Sequence, residues 1–343
     1  MRVLDDGSIL DESGRYLFVS VDRFKDCVCR GKVCFLCAKN KPDFTKEHIV
    51  PDWLLRECGL HSQWITLPNG TKIQYGKYVV PCCEACNRFM GEHLEGRVSE
   101  AIKQGIPGVE RLLETSSGEL SLRTWLNLIF IKTHLKDTGL RMSRDRRQST
   151  ESIADSFDYD WGDLHHAYCI SRSPLIGASV HKLALGSLAI VPTTSGIEER
   201  FDIIDLTIAK TFALRVGGVG LITVFGDGGA VLQKMQQLIL PRIDEPLNYP
   251  QFREVVAHFA CCNLHLKNPP GFATVPEIFG RDSVTITAYH IPVGPEFEEY
   301  RPEFFGKLLH SLVYESTKHA IDSANYEEKL LSGELSFFAS SEG

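Results

Sequence analysis

Two Cys-x-x-Cys pairs carry the most specific chemistry in this 343-residue chain: Cys34/Cys37 in Cys-Phe-Leu-Cys, and Cys83/Cys86 in Cys-Cys-Glu-Ala-Cys. Such a turn places two thiolates on one side of a tight loop, and two turns supply the four tetrahedral ligands that Zn²⁺ prefers. Cys82 is an alternative to its neighbour Cys83, and Cys27 and Cys29 are alternatives to the first pair. Cys34, Cys37, Cys83 and Cys86 are preferred because both pairs have the spacing that closes a zinc turn. A pair of disulfides is the rival reading, and it needs an oxidising compartment. Residues Met1 to Asp26 are mixed and charged rather than an apolar signal core, so reduced thiols in a cytoplasmic protein are expected.

Between the pairs lie Glu47 and His48, followed by Ile49, Val50 and Pro51, which read as the end of an apolar strand stopped by proline. Neighbouring side chains on a strand point to opposite faces, so one can hold a metal while the other meets a substrate. Asn87 follows the last cysteine directly.

The whole pattern, Cys-x-x-Cys, Glu-His-Ile-x-Pro, then Cys-x-x-Cys-Asn-x-x-x-Gly-x-x-Leu-Glu, resembles the HNH endonucleases of the ββα-metal type, in the branch held by four cysteines. The resemblance covers roughly Val33 to Val98. It implies that His48 is the general base, that Glu47 and Asn87 bind a catalytic divalent cation, and that Cys34, Cys37, Cys83 and Cys86 hold structural zinc. The family's middle asparagine falls in Lys77-Tyr78-Val79-Val80, where no asparagine stands. Asn69, in Pro68-Asn69-Gly70, reads as a hairpin turn residue. Orientation of His48 is then expected from a backbone carbonyl or another element.

Cutting a phosphodiester needs an activated water, neutralised phosphate charge and a stabilised leaving oxygen. An imidazole, with an ordinary pKa of about 6.5, can accept a proton from water at neutral pH. A hard cation held by a carboxylate and an amide oxygen keeps positions open for phosphate oxygens, which suits Mg²⁺ or Mn²⁺. Thiolates disfavour hard cations, so two metals with separate jobs are expected. DNA is the implied substrate.

Several elements must position these groups. A helix is expected over Arg88 to Gln104, with Phe89, Leu94, Val98 and Ile102 as its buried stripe and His93 solvated. Arg88 and Arg97 on it are candidate phosphate contacts. Gly105-Ile106-Pro107-Gly108 breaks it, and a long helix is expected from Leu120 to Met142. The cluster Arg144, Arg146 and Arg147 beyond that helix could grip a phosphate backbone, or could be a solvated helix end. Gln148 to Asp163 is expected as an acidic surface loop.

From Leu164 the pattern turns to strands, at Ala167 to Ile170, Leu188 to Pro192, Phe201 to Leu206, Thr211 to Val216, Gly220 to Phe225 and Val284 to Ile291. Helices are expected at Ala230 to Leu240, Tyr249 to Asn263 and Glu303 to Glu315. Gly226-Asp227-Gly228-Gly229 reads as a turn, because no Lys-Ser/Thr follows it as in a P-loop. His165, His166, Cys261, Cys262 and His265 read as surface histidines and buried thiols rather than metal ligands.

The expected fold class is therefore α+β, with a small zinc-stabilised ββα-metal (HNH) domain at 1–110, a helical connector at 111–163 and a larger mixed α/β domain at 164–343. Joined to an HNH nuclease, such a large extra domain resembles the sensing, targeting or partner-binding half of restriction and anti-phage defence effectors. It is the expected contact for a homo-oligomer or partner protein. The hydrophobic fraction of 43% is ordinary for a folded protein, and no run approaches a membrane span. Residues 1–110 balance basic against acidic residues, so the remainder carries the net charge of −7. That excludes a chain that coats nucleic acid by bulk electrostatics. The alternative function is a non-catalytic zinc module that binds DNA or a protein partner.

Overall fold

A computed structural model describes residues 1–40, 43–145, 147–157, 159–196, 200–277, 283–319, 321 and 325–338. Helices and strands are mixed, consistent with an α+β chain. The chain divides into two compact units. One takes in Met1–Lys103, Gly108–Ala184 and Phe272–Ala288; the other takes in Gln104–Pro107, Leu185–Gly271 and Tyr289–Gly343.

In the first unit, strand Thr45–His48 pairs antiparallel with strand Val79–Cys82, and helix Glu84–Met90 follows at once. Pro51 ends the first strand's extension and leads into helix Asp52–Glu57. A hairpin, Trp64–Thr66 with Lys72–Gln74, fills the interval. Its turn uses Asn69, whose Oδ1 accepts the Thr71 amide at 2.9 Å, and Gly70 at φ 73°, a left-handed backbone that suits glycine.

The helix expected over Arg88 to Gln104 is interrupted. Helix Glu84–Met90 runs into a π turn, Gly91–Glu95, and then helix Gly96–Lys103. One extra residue rotates the helix faces by about 100°. Leu94, Val98 and Ile102 are accordingly buried, whereas Phe89 leaves their stripe and lies against the His93 ring. The expected break at 105–108 shrinks to Gly105 at φ 69°, and helix Gly105–Glu114 begins there. Pro107 sits in its first turn, where proline costs no hydrogen bond.

Helix Gly118–Thr138 belongs to the first unit, so the boundaries differ from those expected at 110 and 163. It buries Leu122, Trp125, Leu126 and Ile129 but also Arg123, Asn127 and Lys132, and a helix covered all round is a core element rather than a linker. The stretch expected as an acidic loop holds helix Ile153–Ser156, closed by a Ser152/Asp155 capping box, and the start of helix Trp161–Ile176. Ala167 to Ile170, expected as a strand, lies inside that helix. A short apolar run reads alike in a buried strand and a buried helix. His165 and His166 are buried, not surface residues: their Nε2 atoms meet the carbonyls of Val19 at 2.7 Å and Ala184 at 2.8 Å. On the same helix, buried Arg172 donates to the Leu36 and Tyr16 carbonyls, each at 2.7 Å, which fixes the first cysteine turn from behind.

The second unit is built on an antiparallel sheet ordered Phe201–Leu206, Thr211–Val216, Val219–Val224, Ser187–Pro192. Helices Ala230–Leu238 and Tyr249–Leu264 cover it, and Ile222, Val224, Met235, Phe252 and Phe259 share its core. Helices Pro302–Thr317 and Tyr326–Ser332 pack against Ala257 and Cys261. The glycine cluster is a structural turn: Asp227 accepts the Ser187 amide and the Val231 amide, both at 2.8 Å. Strand Val284–Tyr289, by contrast, pairs in parallel with Ser179–Val180 in the first unit.

The sheet-to-helix packing of the second unit depends on Gly220. A Cβ there would stand 2.7 Å from the Phe252 ring and 2.9 Å from Val191. Gly220→Ala is expected to cost about 1–3 kcal/mol by overpacking, read as a lower urea midpoint for this unit.

Candidate metal centre

The sulfurs of Cys34, Cys37, Cys83 and Cys86 lie within 4.8 Å of one another. Tetrahedral zinc with bonds of about 2.3 Å puts its sulfurs about 3.8 Å apart. Cys37 Sγ and Cys83 Sγ stand 3.9 Å apart. The first turn closes through Cys34 N–H to the Lys39 carbonyl and Ala38 N–H to Cys34, with Ala38 held at φ 57°. Cys83 begins helix Glu84–Met90 and Cys86 lies one turn in. Cys82 also approaches Cys34, at 3.9 Å, but closes the strand instead of joining the four. None of the eleven cysteines forms a disulfide.

The crowding has an electrostatic consequence. Hydrogen bonds from Cys37, Cys82 and Cys86 hold the Cys34 thiol far below its ordinary range. The bond to Cys34 pushes Cys37 up to about 11, and bonds to the same thiolate raise Cys82 and Cys86. One thiolate forms easily and opposes the next. A cation is what lets all four ionise, so the group could hold zinc.

Glu47 and His48 leave their strand on opposite sides, as its pleat requires. Glu47 is buried, and Lys132 Nζ donates to its Oε1 at 2.7 Å and to the His48 carbonyl at 2.7 Å. Lys136 Nζ donates to the Val79 carbonyl at 3.1 Å, and burial lowers its pKa. Asn87 lies on the Glu47 side, its Nδ2 donating to Thr45 Oγ1 at 3.1 Å. A hard cation on Glu47 and Asn87 would therefore meet an ammonium already seated on the carboxylate. Like charges at that range repel, so a cation there would compete with Lys132 for the carboxylate. Burial also raises the Glu95 carboxyl, against the pull of Lys132, with Glu47 and Asp52 adding to the rise.

His48 is half-buried and faces other groups. Its ring meets the His61 ring edge-on at 5.9 Å, and one ligand atom each from His48, Asp52 and His61 lie within 4.8 Å. His61 Nε2 is 3.2 Å from Asp52 Oδ1. These partners supply surroundings for His48 where the expected asparagine is missing.

The arginines are dispersed. Arg88 and Arg144 are exposed. Arg97 donates to Ser117 Oγ at 2.9 Å and Thr115 Oγ1 at 3.4 Å. Arg147 forks onto Asp145 with two bonds of 3.0 Å, which neutralises it locally. Arg146 lies outside the described residues.

Asp52, His61, Lys132 and Glu95 were assigned no role from sequence. Asp52 could have been found as the helix-opening carboxylate next to a strand-end histidine. Nothing in the local pattern marks His61 or Lys132. Compared with protein-family models, curated proteins and solved structures, the chain matches none.

Proposed function

We propose that the chain is a divalent-metal-dependent endonuclease that hydrolyses DNA phosphodiester bonds, with its chemistry centred on His48. The observation that carries this reading is the four-cysteine cluster, which clamps a strand–strand–helix frame with Glu47 and His48 on one strand and Asn87 on the helix. That order and those residue types are the ones the HNH resemblance rests on. In this reading zinc is structural, His48 serves to activate the attacking water, and Mg²⁺ or Mn²⁺ offsets the phosphate charge. Exposed Arg88 and Arg144 are its candidate backbone contacts. The second unit serves sensing, targeting or partner binding, as in restriction and anti-phage defence effectors, in a cytoplasmic protein. Among the described residues no helix is long and apolar enough to cross a membrane.

The Lys132 ammonium on Glu47 favours a second reading, a non-catalytic zinc module that binds DNA or a protein. Plasmid cleavage with Mg²⁺ or Mn²⁺, beside His48→Ala, separates the two. The nuclease reading expects cleavage by the wild type and a loss of about 10²–10⁴-fold in the variant, with equal zinc in both. Equal rates, or DNA binding without cleavage by zinc-replete wild type, would overturn it.

A further inference from the structure

The geometry points to a second metal site on the opposite face of the strand from Glu47: His48, Asp52 and His61 hold a borderline divalent transition ion. Two imidazoles and one carboxylate make an open donor set, one that suits Zn²⁺, Mn²⁺, Fe²⁺ or Co²⁺ more than Mg²⁺ and leaves positions for water or a phosphate oxygen. One ligand atom from each already lies within 4.8 Å of the others. Bonds of about 2.0–2.1 Å on a tetrahedral ion would place donors roughly 3.4 Å apart, so a small rotation of the side chains closes the set.

The surroundings orient two of the three ligands. Arg56 Nη1 takes Asp52 Oδ2 at 2.5 Å, which leaves Oδ1 turned towards His61. His61 lies over Gly76, where a Cβ would stand 3.0 Å from both its Nδ1 and its carbonyl oxygen, and the Gly76 amide donates to that carbonyl at 3.1 Å. A residue larger than glycine would lift the ring, so the glycine lets Nε2 face Asp52. Partners of this kind fix ligand direction in metal sites. Asp52 and His61 have side-chain exposures of 37% and 46%, so an ion and its remaining ligands can enter from solvent. On the other face, Lys132 holds the carboxylate that would otherwise compete.

This inference deepens the hydrolase reading by relocating its cation, and rests on it only for the use to which the ion is put. With its imidazole on the ion, His48 is a ligand rather than the free base that the resemblance implies.

The test is a Co²⁺ titration of the full chain carrying zinc in its cysteine site, followed by visible absorption and zinc analysis. Zinc is spectroscopically silent, so new bands report the second site. The wild type is expected to take up about one Co²⁺ with ligand-field bands and no thiolate charge transfer. Millimolar Mg²⁺ should leave the bands in place. His61→Ala at an exposed position and Asp52→Asn at a half-buried one should weaken uptake at least about tenfold while the zinc content stays at wild-type level. No uptake by the wild type, or unchanged uptake in either variant, overturns the site. Cleavage assays fail independently: intact Co²⁺ uptake without any cleavage would defeat the nuclease reading and leave the metal site standing.

Discussion

Cys86→Ser is expected to empty the four-cysteine site and unfold the frame that carries His48. Structural zinc contributes about 10–16 kcal/mol of apparent binding free energy in small fingers, as much as or more than the roughly 5–15 kcal/mol that stabilises a typical domain. The frame around the cluster is short: a two-stranded sheet, a small hairpin and one seven-residue helix. Loss of the metal leaves three crowded thiols, Cys34, Cys37 and Cys83, and the hydrogen bond between Cys34 and Cys37 opposes ionisation of the second of that pair. The expected result is loss of about one zinc per chain and rapid proteolysis between residues 34 and 95. Cys82→Ser and Cys27→Ser should keep their zinc, because neither sulfur belongs to the set of four. Zinc loss from either control with retention in Cys86→Ser would reverse the ligand assignment.

Lys132→Met carries the second large effect. Glu47 is 8% exposed, and its Oε1 accepts from an ammonium that is itself 1% exposed. Removing only the cation leaves a buried carboxylate unpaired, at an expected cost of about 3–5 kcal/mol. The double variant Glu47→Leu with Lys132→Met removes both charges and should recover most of that loss, since an apolar replacement of a buried pair is close to neutral. A thermal double-mutant cycle measures the coupling; additive losses would mean that the pair does not hold the helix to the strand. The single variant also uncovers Glu47, two residues along the strand from the Thr45 that Asn87 meets. Mg²⁺ should raise its Tm and leave the wild-type Tm unchanged, whereas equal responses would show that Lys132 does not block a cation there.

The four-cysteine group was legible because a metal turn is local chemistry: two residues between cysteines fix the geometry whatever the rest of the chain does. Strands Phe201–Leu206, Thr211–Val216 and Val219–Val224 were legible for a similar reason, since β-branched runs end at turn residues. Ala167 to Ile170 was not, because its side chains are buried within helix Trp161–Ile176 and periodicity carries no signal when every face is covered.

The alternation of Glu47 and His48 to opposite sides of a strand was also fixed by the sequence itself, through the pleat. What each would meet there was not. Lys132 reaches Glu47 across 85 residues of chain, and His61 comes to His48 by way of an intervening helix and Gly76. Contacts of that separation are set by packing of Gly118–Thr138 and by the path of the loop. The sequence therefore determined the four-cysteine group and the neighbouring Glu47 and His48, while tertiary packing decided that Glu47 pairs with Lys132 and that His48 stands beside Asp52 and His61.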